Sequence, residues 1–181
     1  MKNFSRHLLT VVADTRGAEI AEAAAVLPLM FMILLGIFWF GQAFSIYGAI
    51  TRAAQEGART GARPYCTTCT VQASNLVNAA NAVNAALAAS KLDPNLARYP
   101  VPQPALNACT GSGTVACTAG GDAHLCIQAP VQLTDTSMGP NRLCGISVSF
   151  QYPFQFWLPF TSLNKQQIWI LAASRMRGES Q

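Results

Sequence analysis

From Ala23 to Gly41 the chain reads AAAVLPLMFMILLGIFWFG, an apolar run without one charged side chain. At a rise of about 1.5 Å per residue, about 20 such residues cross a hydrocarbon core about 30 Å thick. The run therefore predicts a membrane-spanning helix in contact with a lipid bilayer. Trp39, Phe40, Phe44 and Tyr47 crowd its far end, where amphipathic rings favour the bilayer interface. A cleaved secretory signal is the competing reading, with Gly41 and Ala43 as small residues near the cut. Against it stand the length of the run, beyond the roughly 7–15 residues of a signal's apolar region, and the long polar segment before it.

Beyond the run, SIYGAITRAAQEGARTGAR keeps Ile46, Ile50, Ala53 or Ala54, Gly57 and Gly61 at spacings of three and four. That period continues the helix until Pro64 stops it, giving a helix from about Ala18 to Ala62, roughly 65 Å long. Small residues dominate this face, which suits close approach either to like helices in a bundle or to the chain's own domain. A second amphipathic helix is expected between Thr70 and Leu92, with Leu76, Ala80, Val83 and Leu87 on one face. Asn75, Asn78, Asn81 and Asn84 fall on another and read as a solvated surface. DPNLARYPVPQP, Asp93 to Pro104, is rich in proline and reads as a linker-like connection.

Strand signals follow. Ile146, Val148, Phe150 and Tyr152 alternate with Ser147, Ser149 and Gln151, the period of a half-buried strand. QIWILAASRM, from Gln167, is preferred as a strand for its Ile-Trp-Ile start, and HLCIQAPVQL, from His124, is a third, interrupted by Pro130 and so an edge. The expected fold is α+β and pilin-like: a long N-terminal transmembrane helix, a second helix, and a short antiparallel meander packed on the long helix's outer half.

Composition sharpens this picture at two points. Of 181 residues, 51% are hydrophobic and 11% charged, the size of one soluble domain plus an anchor. Much of the apolar count is alanine, so the core is small and needs covalent help. Six cysteines, Cys66, Cys69, Cys109, Cys117, Cys126 and Cys144, all follow the span, which predicts structural disulfides in an oxidising compartment on that side. Basic residues flank the span on both sides (Lys2, Arg6 and Arg16; Arg52, Arg59 and Arg63), so the cysteines decide the orientation and place the N-terminus in the cytoplasm. Locality favours pairing Cys66 with Cys69, Cys109 with Cys117, and Cys126 with Cys144. CTTC at Cys66 to Cys69 lacks the matching pair or nearby histidines of a zinc site and the strand-then-helix setting of a redox motif.

The net charge of +4 is scattered and forms no basic stripe, so no nucleic-acid partner is expected. His7 and His124 stand apart from any catalytic pattern, so neither an enzyme activity nor a cofactor nor a metal is expected.

Glu19 and Glu22 stand just before the span, on one helix face. First-turn acids complement the helix dipole by about 0.3–1 kcal/mol each, which accounts for Glu19. Glu22 is followed at once by Ala23 and the apolar run, where an ionised group costs a few kcal/mol unless paired. Pro28 lies inside the run and removes a backbone hydrogen bond.

The stretch from Arg16 to Arg63, with Arg16-Gly17, Glu22, Pro28 and AAQEGAR at Ala53 to Arg59, resembles the TadE-like family of pseudopilins from tight-adherence pilus systems. AASRMRGES at Ala172 to Ser180 is similar to the family's C-terminal end. Ala23, where such prepilins commonly have Tyr, and Gln55, in place of a frequent basic residue, depart from the pattern. The resemblance implies cleavage by a prepilin peptidase between Gly17 and Ala18. Residues 1–17 would then be a cytoplasmic leader, 18–63 the transmembrane and stalk helix, and 64–181 an extracytoplasmic α+β domain. Glu22 would be the fifth residue of the mature chain, its carboxylate pairing with the N-terminal amine of a neighbouring subunit, and Pro28 would soften the helix for filament entry. Implied partners are the prepilin peptidase, other pilins and pseudopilins, and the inner-membrane pilus assembly platform. The implied role is a pseudopilin or minor pilin in biogenesis or initiation of a Flp-type tight-adherence pilus. The alternative is an uncleaved single-pass inner-membrane protein whose periplasmic domain binds a partner.

Overall fold

The computed structural model describes residues 15–63, 73–109, 113–118, 124–133, 143–155 and 167–178. The chain forms two units, Met1–Ala43 and Phe44–Gln181. Helix α1, Thr15–Gly61, starts three residues before the expected point and ends one residue early. It runs on through Pro28. Proline has no N–H to give, so the Ala24 carbonyl one turn earlier loses its intrahelical partner. In the first unit, every side chain from Glu19 to Leu35 is exposed.

The second unit is the expected α+β arrangement. Helix α2, Ala73–Ala89, buries Ala80, Val83 and Leu87 as expected, but of the asparagine face only Asn78 and Asn81 are exposed: Asn75 and Asn84 are half-buried, Asn75 donating to the Arg63 carbonyl. Strands β1 (Cys126–Gln132), β2 (Cys144–Gln155) and β3 (Gln167–Arg177) form an antiparallel sheet in the order β1-β2-β3. The core joins Ile50, Ala54 and Ala58 of α1 to Val83 and Leu87 of α2 and to Val148 and Phe150 of β2. The small face of α1 is thereby used by the chain's own domain. A Cβ at Gly61 would come within 2.5 Å of Ile146 Cδ1 and 3.0 Å of Ala79 Cβ; one at Gly57 would lie 3.1 Å from the Ala79 carbonyl and closer still to Val83. Both glycines are there for proximity, since a methyl group at either would push the layers apart.

The register of β2 on β3 is unbroken from Gly145↔Arg177 to Gln155↔Gln167. That of β1 on β2 shifts between Gln128 and Val131, around Pro130, whose missing N–H cannot enter a ladder. β1 is accordingly an edge of the sheet, as its proline predicts.

Two expectations change. The strand expected to be half-buried is buried on both faces, with Ser147 and Ser149 as inaccessible as Val148. The reason is the cover over its outer face: Gln128, opposite Ser147 in register, donates from Nε2 to the Pro104 and Val115 carbonyls. The proline-rich connection is likewise no free linker. Arg98 and Gln151 exchange backbone hydrogen bonds of 2.8 Å each, Gln151 Nε2 donates to the Val101 carbonyl, and the Asp93 N–H donates to the Tyr152 hydroxyl. The Arg98 guanidinium sits 4.7 Å above the Trp169 ring, a cation–π contact that ties the segment to β3. Burial raises the Tyr152 pKa, against the lowering effect of the Asp93 N–H.

The two kinds of helix glycine give opposite outcomes on methylation. Gly48 has nothing within 4 Å of a built Cβ, so Gly48→Ala stabilises the full chain by about 0.5–1 kcal/mol through helix propensity. Gly57→Ala gains the same propensity but overpacks against Ala79 and Val83, a cost of about 1–3 kcal/mol that leaves it net destabilised. Thermal unfolding of both variants in neutral detergent reads the signs; stabilisation by Gly57→Ala refutes the close-approach account.

Candidate functional site

From Ala23 to Phe38 α1 is apolar all round. Ile20 is 72% exposed and Met32 75%, and the large apolar side chains Leu27, Leu29, Phe31, Ile33 and Leu34 are exposed on every side of the cylinder. A helix with that surface is stable only in hydrocarbon or among other apolar helices. From Glu19 onward α1 is long and apolar enough to cross a membrane, and it is the chain's membrane anchor. Of the expected interfacial aromatics, Phe40, Phe44 and Tyr47 are exposed, whereas Trp39 is buried.

Gly17 and Ala18 lie in the first turn of α1. The first four N–H groups of a helix have no intrahelical partner, so this is where the backbone opens most cheaply. Glu22 is exposed. Its neighbours at helical spacing are Ala18, Glu19, Ala25 and Val26, none of them basic, so no countercharge comes from its own helix face. Because α1 begins at Thr15, its first turn holds no acidic residue. Glu19 therefore falls in the second turn here, and the first-turn dipole account applies to it only if the helix starts at Ala18. Pro28 is exposed, with helix continuing on both sides.

The cysteines divide. Cys66 and Cys69 lie outside the described residues. Cys109 joins Cys144 with Cα atoms 5.5 Å apart, and Cys117 joins Cys126 at 4.8 Å, both within the usual disulfide span. The local pairing of Cys109 with Cys117 and Cys126 with Cys144 is thus corrected. Register is the reason. Cys126 stands opposite Ser149, and Cys144 opposite Gln132, so they occupy opposite ends of the ladder, roughly 17 Å apart at about 3.3 Å per residue. Residues 107–109 and 113–118 lie beside β1, with Ala108 bridged to Val131 and Thr118 to Ile127. That lays Cys109 by the end of β1 where β2 begins, and Cys117 by its start.

One cluster escapes sequence reasoning. Arg59 and Arg63, on and just past the last turn of α1, and Arg177, at the end of β3, border one cavity of about 400 Å³. The spacing of Arg59 and Arg63 places them together on a helix face, but only the β2–β3 register brings Arg177 to them. Among the described residues, no group of three or more His, Cys, Asp or Glu side chains is placed to hold a metal.

Residues 17–59 match the family model for TadE-like protein. This segment contains Gly17, Glu22, Pro28 and the AAQEGAR motif, so the resemblance drawn from those residues and the family match coincide. No curated protein and no solved structure matches the chain.

The observed cysteine pairing sets an ordered pair of stability losses. Replacing Cys117 and Cys126 with serine removes a short loop closure, with a sequence separation of 9, and replacing Cys109 and Cys144 a longer one of 35. Chain entropy gives losses of roughly 2–3 and roughly 3–4 kcal/mol respectively. Denaturant titration measures both, and non-reducing peptide mapping checks the pairing. A peptide linking Cys109 to Cys117 refutes it.

Proposed function

We propose that this chain, TadE-like over its first helix, is a pseudopilin or minor pilin that takes part in the biogenesis or initiation of a Flp-type tight-adherence pilus. The observation that carries the proposal is the family match over residues 17–59, which takes in the processing point, Glu22 and the whole apolar run. A prepilin peptidase cuts between Gly17 and Ala18. The mature chain inserts with its N-terminus toward the cytoplasm and its disulfide-bonded domain in the periplasm, and it works by helix packing, without a catalytic step of its own. The two disulfides beyond the span support this orientation, because the cytoplasm keeps thiols reduced.

Glu22 follows from electrostatics. A carboxylate at the edge of hydrocarbon needs a partner, and none of its helical neighbours is cationic. Cleavage creates one: the α-ammonium of Ala18 on an adjacent subunit. Each charge is costly alone in a low-dielectric setting and tolerated when paired, so the pair fixes the axial register of one subunit on the next. Pro28 leaves one carbonyl of the same helix without its partner, a weak point at which the helix can stretch on leaving the bilayer. The partners in this reading are the peptidase, other pilins and pseudopilins, and the inner-membrane assembly platform.

Mass spectrometry of the protein from cells expressing the pilus machinery tests the cut. Three basic residues and Asp14 leave with residues 1–17, so the formal charge falls from +4 to +2. Protein retaining Met1 as the only stable species favours the uncleaved anchor instead.

Glu22→Ala separates insertion from assembly. Insertion is unchanged or improved, since an apolar side chain replaces a carboxylate, cleavage persists, and pilus output falls sharply. Glu19→Ala is the matched control and has a small effect. Equal pilus output from the two variants removes the ion pair from the account.

A further inference from the structure

The cavity at the end of α1 is lined by Arg59, Ala62, Arg63, Met176 and Arg177 and has a volume of about 400 Å³. Among the described residues that line it, three carry a guanidinium and none is acidic. Like charges brought together from two different elements repel one another, and helix-end chemistry explains only part of the arrangement. Arg59, in the last turn of α1, complements the negative end of the dipole, but that end amounts to about half an elementary charge. The three guanidiniums together carry more charge than that helix end. At the same helix end Asn75 Nδ2 donates to the Arg63 carbonyl and the Ala62 N–H to the Ala58 carbonyl.

We propose that this cavity is an anion site for an organic phosphate, with the phosphate oxygens on Arg59, Arg63 and Arg177 and the organic substituent against Ala62 and Met176. The argument for phosphate is geometric. A guanidinium presents a planar fork of donors suited to bidentate contact with an oxyanion. A planar carboxylate has two oxygens to share among three forks, whereas a tetrahedral phosphate has enough to engage all three. The apolar portion of the wall and a volume well above that of a bare ion argue for a substituent. Arg59, Arg63 and Arg177 are exposed at the rim, so binding is screened by salt. The site is independent of the pilin reading: it needs no cleavage, no Glu22 contact and no neighbouring subunit.

Isothermal titration of the full chain in neutral detergent micelles, at fixed ionic strength, tests it with glycerol 3-phosphate, inorganic phosphate and sodium chloride. Saturable binding is expected for glycerol 3-phosphate, weaker binding for inorganic phosphate and none for chloride. Arg177→Gln weakens glycerol 3-phosphate binding by at least about tenfold, the loss of a charge-assisted hydrogen bond. Arg63→Lys, which keeps the charge and loses the fork, has an intermediate effect. Arg52→Gln, on an exposed helix position outside the cavity, leaves binding unchanged. Unaltered circular dichroism melting shows that the variants are folded. Two phosphate sources are separated by repeating the titration in phosphatidylcholine nanodiscs with and without phosphatidic acid, whose headgroup is a phosphomonoester. Competition by phosphatidic acid identifies a lipid headgroup as occupant, and undiminished affinity identifies a soluble ester. No saturable binding by wild type, or equal loss in Arg177→Gln and Arg52→Gln, overturns the proposal.

Discussion

The close approach of α1 to its own domain at Gly57 and Gly61 is the constraint on which the second unit depends. The facing surfaces of the two helices are largely alanine and glycine, Ala53, Ala54, Ala58, Ala79 and Ala80 among them, and gain little apolar area from any one side chain. The deficit is made up by proximity. With no Cβ at Gly57 and Gly61, Val83 of α2 and Ile146 of β2 reach the α1 backbone, and Ala53, Ala54 and Ala58 become fully buried. Dispersion contacts between atoms at short range are individually small, but a close-packed interface collects many of them. A core built this way tolerates little change in volume.

A thin core also explains the second layer of restraint. The outer face of β2 would expose Ser147 and Ser149 to water if the sheet were packed on one side only. Residues 104–109 and 113–115 cover them instead, held by the two hydrogen bonds from Gln128 to the Pro104 and Val115 carbonyls. The same residues, with their flanks, are tied at both ends of β1 by Cys109–Cys144 and Cys117–Cys126. These covalent links act chiefly on the unfolded chain, whose loops they shorten, and so compensate for apolar area that the alanine-rich sequence does not supply.

The first half of α1 obeys a different rule. Its exposed apolar side chains are an error in water and a requirement in a bilayer, where every backbone polar group must be satisfied within the helix. Against that background the informative residues are the two that break the pattern. Pro28 withholds one N–H from the ladder, and Glu22 brings a charge without a cationic neighbour on its own face. Neither helps an isolated helix, and both make sense if neighbouring molecules complete what the single chain leaves open.

Elements with a local signature could be read from the order of residues alone. The apolar run, the three-and-four spacing of α1 and α2, the alternation of β2 and the edge position forced by Pro130 each express a backbone period or a missing N–H. They are properties of residues near one another in the chain. The family match over residues 17–59 rests on the same kind of signal, since the motifs it spans are fixed short spacings. Tertiary structure alone decided which cysteines meet, that Asp93 to Pro104 is bound to β2 and β3, and that Arg177 joins Arg59 and Arg63 around one cavity. Each of these depends on strand register, and a shift of one residue would turn every side chain of a strand to its opposite face. Locality misassigned the disulfides because an antiparallel ladder sends Cys126 and Cys144 to opposite ends while a neighbouring segment, bridged at Val131 and Ile127, carries Cys109 and Cys117 to meet them.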